Sequence, residues 1–227
     1  MIRRDYILRM IEEFFQALAR LKSLKQGQKW QEAEGTVDEE FQRLMGEGAK
    51  AVVQLSETEL MARLIQGEST QVVRQKALML TTLLKEAGDV AGAQNEREHS
   101  RACYLKGLHL LLNILGSGEV SDFPEFVPKV EAFVGALGEA PLPLPTQGLL
   151  MQHYERLGEF ARAEDALFGM LEEEPEHPGL VDFGLSFYRR LEHQSDANLA
   201  AGNLPRSEME AGLAELRQRA AATAPPK

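Results

Sequence analysis

The chain has 227 residues, 44% of them hydrophobic and 26% charged, with a formal net charge of −10. That apolar content suffices for a real core, and the acidic balance argues against a general nucleic-acid surface, because polyanions are repelled over most of the molecule. Cys103 is the one cysteine and cannot form an internal disulfide, and no stretch approaches the ~20 apolar residues of a membrane span. No signal peptide is visible in an opening that carries Arg3, Arg4, Asp5 and Arg9 ahead of Glu12 and Glu13. The expectation is a soluble, cytoplasmic protein.

Helical periodicity runs through the chain, and the β-branched runs suited to strands are missing. Ile7, Ile11, Phe14, Leu18 and Leu21 fall on one stripe of a helix from about Arg3 to Gln26, widened by Met10, Phe15, Ala17 and Leu24. These heptad-like steps predict a packing element, either against the body of the chain or against a second copy in a homodimer. Past Gly27 a second helix begins at Trp30, with Val37, Phe41, Leu44 and Met45 inward. Ser56-Glu57-Thr58-Glu59 reads as a capping box that opens a short helix ending near Gly67. A helix from about Thr70 to Ala87 follows, then, after Gly88, a long one to about Leu115, broken by Gly116-Ser117-Gly118. Another spans about Pro124 to Leu137. Pro141, Pro143 and Pro145 enforce an extended segment and mark the best domain boundary.

Beyond it lie helices over about Thr146–Leu157 and Glu159–Glu173, then a break at Glu174-Pro175-Glu176-His177-Pro178. A helix with Leu180, Phe183, Phe187, Tyr188 and Leu191 follows, and a last one opens at Asn203-Leu204-Pro205 and runs to about Ala221. The expected organisation is an N-terminal helical region over 1–140, a C-terminal one over 141–221 and a disordered tail over 222–227, or one continuous domain with that tail.

Two phrases share one plan: Lys85-Glu86-Ala87-Gly88-Asp89-Val90-Ala91-Gly92-Ala93 and Glu155-Arg156-Leu157-Gly158-Glu159-Phe160-Ala161-Arg162-Ala163. In each, a glycine closes one helix and an alanine five residues on opens the next, as two antiparallel helices are joined in a helical-repeat protein. Gly27 and Ala33, six apart, make a degenerate third copy, and Ala93 and Ala163 are expected to be close-contact residues between paired helices.

From Gln147 to Pro175 the chain resembles a tetratricopeptide repeat. Leu150 and Met151 stand at the paired small or apolar positions, Tyr154 at the aromatic, Gly158 at the turn, Ala163 at the close approach, Leu167 in the core and Pro175 at the end. The stretch Ala77–Ser100 is similar at Leu80, Leu84, Gly88 and Ala93, while Arg97 stands where the family has an apolar residue. The resemblance implies an all-α protein of antiparallel helix pairs stacked as a right-handed solenoid with degenerate repeats, whose groove reads a partner segment. The opening Met1-Ile2-Arg3-Arg4-Asp5-Tyr6-Ile7-Leu8-Arg9-Met10-Ile11 and the late Phe187-Tyr188-Arg189-Arg190-Leu191 also resemble an uncharacterised bacterial family, which implies no activity.

Chemistry-bearing patterns are sparse. Glu96 and His99 form the Glu-x-x-His of di-iron bundles, but the second one, Glu174 and His177, straddles Pro175. His99 and Cys103, four apart, would suit two metal ligands or an activated thiolate, yet a lone buried cysteine is the commoner outcome. Gly116-Ser117-Gly118 lacks the Lys-Ser/Thr of a phosphate loop. His109, His153 and His193 sit singly on helices. The reading is a non-enzymatic protein–protein interaction or adaptor module with no cofactor and no metal, binding an unknown protein or peptide. The alternative is an enzyme or regulatory domain with a small-ligand site between helices. In the tetratricopeptide register Gln152, Arg156, Arg189 and His193 form the predicted partner-binding face, donors in an otherwise acidic chain that suit a carboxylate-bearing segment. The family's Lys/Asn carboxylate clamp is missing, since Gly148 and Gln152 occupy its positions.

Overall fold

A computed structural model describes residues 2–118 and 123–223. Among the described residues every regular element is helical and no strand occurs. The chain divides into two compact units, residues 1–140 and 141–227.

The first unit contains α1 (Ile2–Gln26), α2 (Trp30–Met45), α3 (Ala49–Gln54), α4 (Glu57–Ile65), α5 (Thr70–Ala93), α6 (Arg97–Gly116) and α7 (Val130–Leu137). Helix α1 packs against its own unit through Met10, Phe14, Leu21 and Leu24, all buried in the core that also holds Phe41, Leu64, Leu80 and Leu84. Four such side chains removed from water contribute up to ~6–12 kcal/mol. The buried face is rotated slightly from the expected stripe: Ile7, Ile11 and Leu18 are half-buried, and Leu8 and Phe15 remain about half exposed (50% and 49%). Helix α4 opens with the capping box: the Ser56 hydroxyl accepts from the Glu59 N–H at 3.2 Å, and Glu59 Oε2 accepts from the Ser56 N–H at 2.8 Å.

Helix α5 is the centre of the unit. Residues 77–84 are buried in an unbroken run, so this helix is covered on all sides rather than along one stripe. Its two threonines tolerate that burial because their hydroxyls bond back down the helix, Thr81 to the Ala77 carbonyl at 2.9 Å and Thr82 to the Leu78 carbonyl at 3.1 Å. Lys25, at the end of α1, donates to Glu86 at 2.7 Å and to Asp89 at 2.5 Å on α5. Burial pushes the Asp89 carboxyl up, but the hydrogen bonds and charges of Lys25 and Lys85 outweigh it and hold that group below its ordinary value.

Gly88 corrects the sequence reading. It does not end a helix; α5 runs through it to Ala93, which is exposed rather than in close contact. The reversal comes seven residues later, at Asn95 (φ 64°). The same turn joins α1 to α2 at Gln28 (φ 54°). It recurs at Gly158 (φ 75°) in the second unit, between α8 (Leu144–Leu157) and α9 (Phe160–Glu173). After each left-handed residue the next N–H, of Lys29, Glu96 or Glu159, donates to the carbonyl five residues back at 2.9 Å. Those three residues have near-identical φ/ψ of −87/65°, −81/64° and −84/64°. Five residues after each left-handed position stands a small buried residue: Ala33, Ser100 and Ala163. A small buried residue thus follows three of these turns, only one of which uses glycine; a fourth left-handed residue, Asn203 (φ 56°), has the same five-back bond from the Leu204 N–H to the Leu199 carbonyl at 3.0 Å but the exposed Glu208 five residues on. Asn tolerates a left-handed φ through local hydrogen bonding, and Gln28 takes it at some cost.

Two further departures have local causes. The helix expected from Pro124 begins only at Val130, because a helix through both prolines needs the missing N–H of Pro128 to bond the Pro124 carbonyl. A turn replaces it, with the Val127 N–H on the Pro124 carbonyl at 3.0 Å. Helix α3 and, in the second unit, α11 (Asp196–Ala201) have six residues each, too few to show a period.

The second unit also contains α10 (Leu180–Glu192) and α12 (Arg206–Thr223). Its interior includes Met151, Leu167, Phe187, Tyr188 and Leu216, each at most 1% exposed. Pro143 and Pro145 flank the first residue of α8, where a missing N–H costs nothing. Of the tail expected to be disordered, α12 reaches Thr223 and residues 224–227 lie outside the described residues.

Candidate functional site

The second unit carries a cleft of about 1040 Å³. Helix α8 supplies Gln152, Glu155 and Arg156, and the Gly158 turn brings the chain back at Phe160. Helix α10 adds Phe183 and Arg190, and Asn198 comes from α11. Gln152 and Arg156 are four apart and share one helix face. Leu157, at the cleft edge, is 55% exposed.

The two cleft arginines differ electrostatically. Arg190 donates to both oxygens of Glu155, at 2.6 and 2.8 Å, a bidentate pair that neutralises it. Arg156 is exposed and makes no ion pair with any described residue. The cleft thus offers a free cation, the amides of Gln152, Gln194 and Asn198, and an apolar margin of Leu157, Phe160 and Phe183. Glu155 is its one titratable acid among the described residues, and Arg190 already holds it. The arrangement suits recognition of a carboxylate beside an apolar group better than proton transfer.

Of the predicted face, the structure brings Gln152 and Arg156 together in this cleft. Arg189 and His193 are exposed and do not line it; Arg190 and Gln194, each one residue on, do. One residue is a 100° rotation on a helix, and the run Arg189-Arg190 does not reveal in sequence which arginine turns inward. Phe183 was legible only as an apolar residue of its helix and Asn198 not at all; nothing in the sequence marked either as a cleft residue, because the elements that hold them meet α8 only in the folded unit.

The remaining candidates are distributed elsewhere. Glu96 precedes α6 as its cap residue, so it does not share a helical turn with His99. Both line a cavity of about 620 Å³ in the first unit, between α2, α3 and the α5–α6 turn. Cys103 is fully buried, and burial pushes its thiol up to about 12, which keeps it protonated although the His99 ring nitrogens lie 3.8 and 4.0 Å from its Sγ. Among the described residues no group of three or more His, Cys, Asp or Glu side chains is placed to hold a metal ion. His109 is buried with its Nε2 3.6 Å from Glu57, and His153 is buried on α8. No described helix is long and apolar enough to cross a membrane.

No curated protein and no solved structure matches this chain. A family model does, over residues 1–221. The chain belongs to that family, a family of unknown function designated DUF6483.

Proposed function

We propose that this chain is a non-enzymatic protein–protein interaction module, working in the cytoplasm and built on tetratricopeptide-like helix pairs. It holds a carboxylate-bearing segment of a partner protein in the second-unit cleft. The observation that carries this reading is the uncompensated Arg156 standing beside Gln152 and the exposed Leu157, next to an Arg190 that its own unit neutralises. A partner carboxylate gains a charge-assisted hydrogen bond from Arg156, and an adjacent apolar side chain covers Leu157 and Phe183. Arg189 and His193 extend the donor set along α10 outside the cleft.

The competing account is that Arg156 is a solvated surface cation whose contacts are worth ~0–1 kcal/mol. Affinity capture with the intact chain, followed by identification of what stays bound, separates the two. Arg156→Glu should abolish capture of the partner and leave the melting curve unchanged, and added salt should weaken the parent complex. Undiminished capture by folded Arg156→Glu would place the binding face outside this cleft. Arg189→Glu should have the smaller effect of the two.

A further inference from the structure

We propose that two copies of this chain pair antiparallel through the side of α1 that its own core leaves uncovered. The contact uses no residue of the second-unit cleft and stands or falls independently of the reading above. Helix α1 buries Met10, Phe14, Leu21 and Leu24 against its unit. Roughly a third of a turn round the same helix, a second apolar line runs through Leu8, Ile11, Phe15 and Leu18. Its steps of three and four are those of a helix–helix seam. Leu8 and Phe15 are about half exposed, and Ile11 and Leu18 are half-buried. Phe15 is also held in place, because Phe126 meets it edge-to-face with 5.4 Å between ring centroids. A ring fixed on one side and bare on the other loses little freedom when it is covered, which makes it a ready interface anchor.

The charges of α1 point to a second copy as the occupant. Arg9 pairs with Glu13 at 3.9 Å, Glu13 also with Arg43 at 3.3 Å, and Arg20 with Glu39 at 3.5 Å. Lys25 is held by Glu86 and Asp89. Glu12 and Lys22 are exposed and make no ion pair with any described residue. They border the apolar line about 15 Å apart along the helix axis. An antiparallel copy whose twofold axis passes beside residues 16 and 17 brings these two charges together twice, Glu12 of each chain to Lys22 of the other. In that register Phe15 meets Leu18 of the second copy, and the aliphatic stem of Lys22 lies over Ile11. A parallel pair would instead set Glu12 against Glu12 and Lys22 against Lys22, and be repelled at both. The apolar line thus supplies the contact and the unpaired charges set its direction. One helix from each chain makes a small interface, so the dimer belongs to the weak, concentration-dependent class.

Sedimentation equilibrium of the full chain from about 1 μM to 1 mM spans weak association and should show monomer passing to dimer. Phe15→Glu should keep the chain monomeric throughout with its helical content unchanged, since about half of that side chain already meets water. If that variant fails to fold, Leu8→Glu, at an equally exposed position, should do the same. Glu12→Lys and Lys22→Glu should each weaken the dimer about twofold to thirtyfold, the worth of two exposed ion pairs. Both changes together should restore the parent dissociation constant. Restoration distinguishes the two directions, because in a parallel pair the exchange leaves like charges opposed. A chain that stays monomeric across the range would overturn the proposal, whether this face then takes another protein or a lipid surface. A dimer that survives in folded Phe15→Glu or Leu8→Glu, single charge reversals without effect, or a double exchange that does not restore association would each overturn it as well.

Discussion

Replacing Gly88 with alanine tests the corrected course of α5. By helix propensity alone the change should stabilise the protein by ~0.5–1 kcal/mol, since a helix-interior glycine is less favourable than alanine. The structure reverses that sign. A Cβ at position 88 would lie 2.5 to 2.8 Å from three atoms of the Tyr104 ring, closer than real contacts allow. The ring cannot swing away cheaply, because the Tyr104 hydroxyl donates to Asp89 at 2.9 Å and Asp89 is itself held by Lys25 and Lys85. Overpacking of this kind costs ~1–3 kcal/mol, so Gly88→Ala should be net destabilising by about 0.5–2 kcal/mol. A glycine at a left-handed turn would also resist alanine, so a second background is needed. With Tyr104→Ala in place the crowding ring atoms are gone, and Gly88→Ala should become stabilising by ~0.5–1 kcal/mol. Urea denaturation of the four proteins, read as midpoint shifts at constant slope, measures this cycle. Equal costs in the two backgrounds would refute the close-packing argument.

Two further predictions concern titration. Burial, aided by Glu208, Asp165 and Glu215 and opposed by the 2.5 Å hydrogen bond from Tyr188, holds the Glu164 carboxyl above its ordinary 4.5. Its charged form therefore costs stability at neutral pH, and that cost is relieved as pH falls through the raised value and is gone below 4.5. Glu164→Gln should raise the melting temperature at pH 7 and lose this advantage in acid; an equal or lower melting temperature at pH 7 would count against the assignment. Burial, with Lys106 and against the pull of Glu57, holds the His109 imidazole below its ordinary 6.5. Stability from this group is present above 6.5 and is lost as pH falls from there through the lowered value, so His109→Gln should flatten the pH dependence in that window. A parent and variant with parallel melting-temperature profiles between pH 7.5 and 5 would refute it.

The all-helical character and most helix spans were legible in the sequence because their causes are local. The Ser56–Glu59 box, the apolar stripe of α1 and the span of α9 each depend on residues three or four apart, and such signals survive without a partner. The second-unit cleft was legible only in part. Gln152 and Arg156 belong together by helical spacing, whereas the choice between Arg189 and Arg190 depends on how α10 is rotated by its packing, which no local pattern records.

What the sequence determined by itself was where most helices form and that Ala33 and Ala163 open the second helix of a pair, while the same reading of Ala93 failed. Only the tertiary structure decided what each glycine is for. Gly88 and Gly158 stand in nearly the same sequence context, yet Gly158 adopts φ 75° at a turn while Gly88 lies in mid-helix against Tyr104. Both positions disfavour a Cβ, Gly158 through its own backbone at a cost that Gln28 and Asn95 bear in the same turn, and Gly88 through a ring sixteen residues away. Backbone strain is a property of the segment; a steric neighbour exists only once the chain has folded.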